Sequence, residues 1–194
     1  MVKKILFTLI AVGLLSATSG LGGLAVFTDQ AAVDGNTFTT GTIEISTNPT
    51  TALVTFSDMA PGDEVTAPLT VTNDSTTLEL RYSVTSLATN TDTKDLRAQL
   101  DLTIKEDVTT CTTAGFDTDG TILYDPADLG GDPAINVIGD PTQGAQAGDR
   151  VLAASANEVL CFNVELPLTT GDAFQDATTT ATFTFDAEQT INNP

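Results

Sequence analysis

From Asn36 onward, apolar and polar residues alternate along much of the chain, and the alternation is broken at short intervals by Gly, Pro, Asn and Asp. A period of two with frequent breakers is the pattern of short, half-buried strands joined by turns. Thr37 to Ile45 sets Phe38, Ile43 and Ile45 against Thr and Glu, with Gly41 at a candidate bulge. Leu53 to Phe56 is a second short apolar stretch. It leads into the turn Met59-Ala60-Pro61-Gly62-Asp63-Glu64, where Pro presets the bend and Gly relaxes it. Val65 to Asn73 reads as the next strand, and Pro68, which has no amide N–H to donate, predicts an edge position or a bulge there. Leu78 to Ser86 alternates cleanly, with Leu78, Leu80, Tyr82 and Val84 on one face and Glu79, Arg81, Ser83 and Thr85 on the other. Asp92 to Leu100 spaces Leu96 and Leu100 by four behind polar capping residues, which predicts one short helical turn. Leu100 to Val108 resumes the alternation, and Val159 to Leu166 and Thr178 to Ala187 supply two more strands. Between them, Cys111 to Arg150 is rich in Gly, Asp and Pro. Only Ile122-Leu123-Tyr124 and Ile135 to Ile138 interrupt it, so it reads as an excursion of loops and short strands. The whole predicts an all-β chain, a two-sheet antiparallel β-sandwich with one or a few short helices.

The N-terminal stretch follows a different rule. Lys3 and Lys4 precede the uncharged, mostly apolar run Ile5 to Leu15, and small residues follow as far as Gly20. This is the build of a signal peptide. Gly23 and Ala25 occupy the small-residue positions a signal peptidase needs, which places cleavage between Ala25 and Val26. Retention as an uncleaved anchor is the other reading, because apolar character continues to Phe27; the Gly-rich second half is a poor spanning segment. The expected product is secreted, to an extracellular matrix or cell surface, with membrane contact only through the signal peptide before cleavage. The expected division is residues 1–25 as signal peptide, an N-terminal segment 26–45, and a sandwich domain 46–194 with its excursion at about 111–150.

Composition narrows the chemistry. The chain has 194 residues, enough for one domain with a real core. All 26 acids lie beyond residue 25, whereas two of the seven bases lie before it, so the exported body carries a net charge of −21 (26 acids against 5 bases). Such a surface repels nucleic acid and anionic headgroups, and no nucleic-acid partner is expected; solubility accounts for the charge better than cation capture does. Two cysteines, Cys111 and Cys161, in an exported chain point to a disulfide rather than a metal site. Its closed loop would stabilise the fold by roughly 4 kcal/mol in chain-entropy terms. No histidine occurs anywhere, which removes the zinc-protease helix motif, Ser-His-Asp triads and Cys-His dyads together. Carboxylate pairs such as Asp117 and Asp119 are expected by chance in so acidic a chain, so no catalytic residue is assigned and no enzyme is expected. Gly115 to Gly120 lacks both the first Asp and the final Glu of an EF-hand loop. A looser calcium site among Asp117, Asp119, Asp125 and Asp128 stands beside the reading of a solvated acidic loop; no other cofactor is expected. Asn73-Asp74-Ser75 is a glycosylation sequon or a plain turn.

Several segments, in order, match one known family: the junction AVFTD, then NTFTTGTIEI, the turn MAPGDEV, DLRAQLDLTIKED, ILYDPADL, LCFNVELP and the closing AFQDATTTATFTFDAEQ. Together they cover most of the chain, which resembles the TasA/camelysin family of secreted biofilm-matrix proteins. The resemblance implies a jelly-roll-like sandwich and polymerisation into extracellular fibres by donor-strand exchange. In that picture the segment after the signal peptide adds a strand to the next subunit's sheet, a head-to-tail contact that does not close. It implies a donor from Val26 to about Ile45. Phe27 would be the terminal plug, with Val33, Phe38, Ile43 and Ile45 as candidate anchors, divided in an unspecified way between donor and home sheet. The implied partner is another copy of the chain, with other matrix or accessory fibre proteins as further candidates. The Cys pair and the acidic excursion depart from the pattern. Camelysin-type members are described as metallo-endopeptidases, and a monomeric cell-surface adhesion module is a third reading.

Overall fold

The computed structural model describes residues 37, 39–51, 53 and 58–193. The segment expected to be a signal peptide, including Ala25, and residues Val26, Phe27, Val33 and Phe38 lie outside them. Nine strands are described: β1 (Ile45–Asn48), β2 (Glu64–Asn73), β3 (Leu80–Ala88), β4 (Asp101–Glu106), β5 (Thr121–Asp128), β6 (Ile135–Ile138), β7 (Arg150–Leu152), β8 (Asn157–Glu165) and β9 (Ala181–Gln189). One four-residue helix, α1 (Thr113–Phe116), and 3-10 turns at Leu96–Ala98 and Asp172–Phe174 complete them. The larger sheet runs β1-β2-β8-β4-β5. In the smaller one β3 is central, with β9 along one side and β6 and β7 end to end along the other. Every named pairing is antiparallel, and the chain crosses between sheets at β2–β3, β3–β4, β5–β6, β7–β8 and β8–β9. The expected all-β sandwich is what the chain forms.

The alternating positions explain the core. Leu69 and Val71 on β2, Leu80, Tyr82 and Val84 on β3, Leu102 and Ile104 on β4, and Leu160, Phe162 and Val164 on β8 all face inward and are buried. Pro68 sits where its missing donor costs nothing: it faces Cys161 of β8 on one side, while the pairing with β1 on the other side stops at Asn48↔Thr70. The helical turn expected at Asp92 to Leu100 is present as the 3-10 turn.

The structure corrects several local expectations. Thr37 to Ile45 is not a strand among its described residues; pairing begins only at Ile45. Gly41 is therefore no bulge, and its role is close approach, because a Cβ there would lie 2.7 Å from Leu78 Cδ1. Leu53 is outside any strand, and residues 54–57 lie outside those described. Arg81 and Ser83 occupy the outward face of β3 yet are 6% and 3% exposed. Residues 139–149 and the C-terminal turn fold over that face: Arg81 donates to the carbonyls of Thr190 (3.4 Å) and Asn193 and stands 3.4 Å from Glu188, its cross-strand neighbour. The strands of the excursion belong to the sandwich itself, since β5 pairs with β4, and β6 and β7 pair with β3.

Two polar clusters lock this arrangement. Asn73 is fully buried; its amide nitrogen donates to the carbonyls of Leu78 (2.9 Å), Leu152 (3.0 Å) and Ala153 (3.0 Å), and its oxygen accepts from Ser75 N–H (3.0 Å). The sequon is therefore a structural knot, with its nitrogen committed inside the fold. Between the sheets, Arg150 of β7 donates to Glu106 of β4 and Glu158 of β8, and the Tyr82 hydroxyl donates to Glu158 (2.7 Å). Burial, and then the adjacent Glu158, push the Tyr82 phenol far above its ordinary pKa.

Replacing Asn73 with Ala strands several buried carbonyls and is expected to cost about 2–3 kcal/mol in urea unfolding. The raised Tyr82 pKa sets a direction as well. The unfolded phenol ionises near its ordinary value and the folded one does not, so the stability Tyr82 contributes is complete below about pH 10 and falls as pH rises above it. In an alkaline absorbance titration, Tyr82 should ionise only together with unfolding, and Tyr82→Phe should flatten the fall in stability above that pH.

Candidate assembly interface

A sheet edge offers a row of backbone N–H and C=O groups to any strand that can reach it, and folded proteins blunt their edges with short strands, Pro, bulges or charge. Most edges of this sandwich are blunted. β1 has four residues, β6 four and β7 three. β5 has eight, but it carries Asp125, Pro126 and Asp128, and its register with β4 shifts twice. β9 is the exception. Its nine residues pair with β3 from Leu80↔Gln189 to Ala88↔Ala181 without a shift, and it contains no Pro. Among the described residues no strand pairs with its other side.

The side chains of β9 match this position. Ala181, Phe183, Phe185 and Ala187 face inward and pack against the core, yet each remains only partly buried. The Phe183 ring meets Phe162 of β8 edge-on at 5.0 Å, and Phe185 lies 6.0 Å from Tyr82. Thr182, Thr184 and Asp186 are exposed on the other face. Charge is confined to the C-terminal half, where Glu188 also accepts from Gly144 N–H at 3.0 Å, so Ala181 to Phe185 presents an uncharged edge. An extended segment with alternating apolar residues could add its main chain to this edge and finish covering the inward row.

Ile43 and Ile45 are half-buried against the core, and Ile45 opens β1 opposite Asn73 in the home sheet. Cys111 and Cys161 form a disulfide with Cα atoms 5.6 Å apart. Asp117 follows α1, and Asp119 accepts from Thr109 N–H at 3.2 Å. Asp125 lies within β5, and Asp128 closes it opposite Asp101. The eight residues of β5 run between Asp119 and Asp128, a separation on the order of 25 Å that keeps the four carboxylates from converging. The edge role of β9 was not read from sequence. The available signal was an unbroken Thr/Phe alternation with no Pro or Lys to guard it.

The chain matches the camelysin metallo-endopeptidase family over residues 1–193. It belongs to that family. No curated protein matches it. The family's name implies a metal. The camelysin-family chain here has no histidine, both its cysteines are spent in the disulfide, and no group of three or more Asp, Glu or Cys side chains among the described residues is placed to hold an ion. These residues do not fit a zinc centre. Among the described residues no helix is long and apolar enough to cross a membrane.

Since Phe183 anchors β9 while remaining partly exposed, Phe183→Ala is expected to destabilise the domain by about 2–3 kcal/mol, below the cost of a fully buried Phe, as read by the urea midpoint at unchanged slope.

Proposed function

We propose that this protein is a secreted structural subunit that polymerises into extracellular matrix fibres by donor-strand exchange, with the β9 edge of one copy receiving the segment after the signal peptide of the next. The observation that carries the reading is the long edge of β9, unpaired among the described residues and uncharged from Ala181 to Phe185, with its half-covered row Ala181, Phe183, Phe185 and Ala187. The donor carries apolar residues at Val26, Phe27, Val33 and Phe38, and in an extended strand Phe27, Ala31 and Val33 fall on one face. Each copy then offers one donor and one acceptor, and a head-to-tail contact that does not close propagates as a filament. Cleavage between Ala25 and Val26 frees the apolar end that docks, so export and assembly are coupled at one peptide bond. In this reading the protein has no catalytic role, and other matrix or accessory fibre proteins are further candidate partners.

Negative-stain microscopy of the mature protein over time and concentration tests this directly. Filaments are expected from the mature chain and not from the uncleaved form or from a deletion of residues 26–34. Thr184→Lys, an exposed change that should move folding stability by no more than about 0.5 kcal/mol, should shorten or abolish filaments by placing a charge on the receiving edge. Persistent monomers under all conditions would sink the fibre reading in favour of a monomeric adhesion module. Undiminished filaments from the deletion or from an uncleavable Ala25 variant would refute the donor role. The family name calls for one more assay: chelator-sensitive casein cleavage by the purified chain would replace the structural reading with the endopeptidase one.

A further inference from the structure

β4 and β5 are the arms of a hairpin, still in register at Glu106↔Thr121 where the intervening residues 107–120 leave and rejoin the sheet. Those residues do not project into solvent. They fold back as a flap over the outer face of the five-stranded sheet. Thr113 of α1 shares a 3.2 Å hydrogen bond with Thr66 of β2, and Phe116 is 5% exposed. Lys105 of β4 holds the flap from below: its Nζ lies 4.3 Å from the Phe116 ring centroid and donates to the carbonyls of Phe116 (2.5 Å) and Asp119 (3.4 Å). A Cβ on Gly115 would come within 2.0 Å of the Thr110 carbonyl oxygen, so the flap folds this tightly only with glycine there.

The disulfide pins this flap to the outside of the sandwich. Leu160 and Phe162 point into the core, so Cys161 between them points outward, and it is 1% exposed only because the flap covers it. Cys111 lies on the flap itself, half-buried between the exposed Thr110 and Thr112. The hairpin fixes both ends of the flap, so lifting it breaks no ladder hydrogen bond and uncovers one large apolar side chain, Phe116. The two sulfurs are therefore unequal: one sits on an accessible loop and the other beneath it. Lys105, the cross-strand partner of Cys161, places a cation on the same face of the sheet. A cation beside a thiol favours its thiolate and makes it the better leaving group.

We propose that Cys111–Cys161 is a thiol-exchange site that releases the flap while the sandwich stays folded. A thiolate RS⁻ attacks Sγ of Cys111. The Cys111–Cys161 bond breaks, an RS–S bond forms on Cys111, and Cys161 leaves as a thiolate that takes a proton from water. One disulfide replaces another, and no separate oxidant or reductant is consumed. The ligand class is a small monothiol, and the net charge of −21 on the body, from 26 acids against 5 bases, selects a cationic one over an anionic one. The product carries its adduct on a freed flap and exposes Phe116 and the polar floor of Thr103, Cys161 and Asn163.

The test treats the native chain, without denaturant, with cysteamine or with glutathione, followed by peptide mapping and hydrogen exchange. One adduct on Cys111 is expected, with Cys161 free and faster exchange confined to residues 107–120. Cysteamine should react several-fold faster than glutathione at low ionic strength, and added salt should narrow the gap. Absence of an adduct, an adduct on Cys161, or loss of protection in β8 together with the flap would each overturn the proposal. The double variant C111S/C161S should keep its strand spectrum and show the same mobile flap. If it unfolds, the disulfide is a staple of the whole fold and not a latch.

Discussion

The packing of Phe183 on Phe162 and of Phe185 beside Tyr82 is the contact on which the shape of the molecule depends. It attaches β9, the outermost strand of the smaller sheet, to a core centred on β3, β4 and β8. Because that sheet has β3 at its middle and only one full-length neighbour, β9 has to serve as a wall of the core and as a rim at once. Its inner row is buried enough to hold the strand in register and exposed enough to leave apolar area uncovered. Each uncovered methylene is worth about 0.8 kcal/mol when removed from water, so a strand laid along the rim would gain from side chains as well as from main-chain bonds. The same geometry makes the edge a hazard unless its partner is specified, and the acidic body, which repels its own copies at long range, limits unspecific pairing.

The strands legible in the sequence are those with one face in the core and clean alternation: β2, β3, β4 and β8 lie within two residues of their expected places and β9 within three. What alternation does not convey is what covers a sheet from outside. Arg81, Ser83, Cys161 and Asn163 read as solvent-facing by period, and all are buried, because residues 139–149 and the flap lie over them. The Gly, Asp and Pro content of those loops marks them as turns and says nothing about where they come to rest. β5 was hidden for the opposite reason. It exposes most of its residues and contains a proline, so it resembles a loop until the pairing with β4 is seen. Asn73 shows how a local motif can mislead: three residues spell an acceptor for a glycan, while the fold uses the same amide to tie a turn to two strand ends.

Candidate chemistry was legible chiefly through absences in composition. A chain without histidine, whose cysteines are bonded to each other, has few ways to build a zinc centre, and that follows from counting. The acidic residues required coordinates, since a cluster in sequence spread along an extended strand is not a cluster in space. Belonging to a family named for a metallo-endopeptidase fixes an ancestry and a scaffold; the chemistry of any one member still depends on which side chains it places on that scaffold.

The flap over the larger sheet and the loop 139–149 over the smaller one have a joint consequence for dimensionality. A β-sandwich with two bare faces can stack as well as extend, and its aggregates thicken in every direction. Here part of each face is covered by the chain's own loops, and among the described strands all the edges but one are short, kinked or charged. Such a particle has low valence, because among its described strands it offers one long edge. In the proposed fibre that one edge confines growth to a line, a restriction already written into the single subunit.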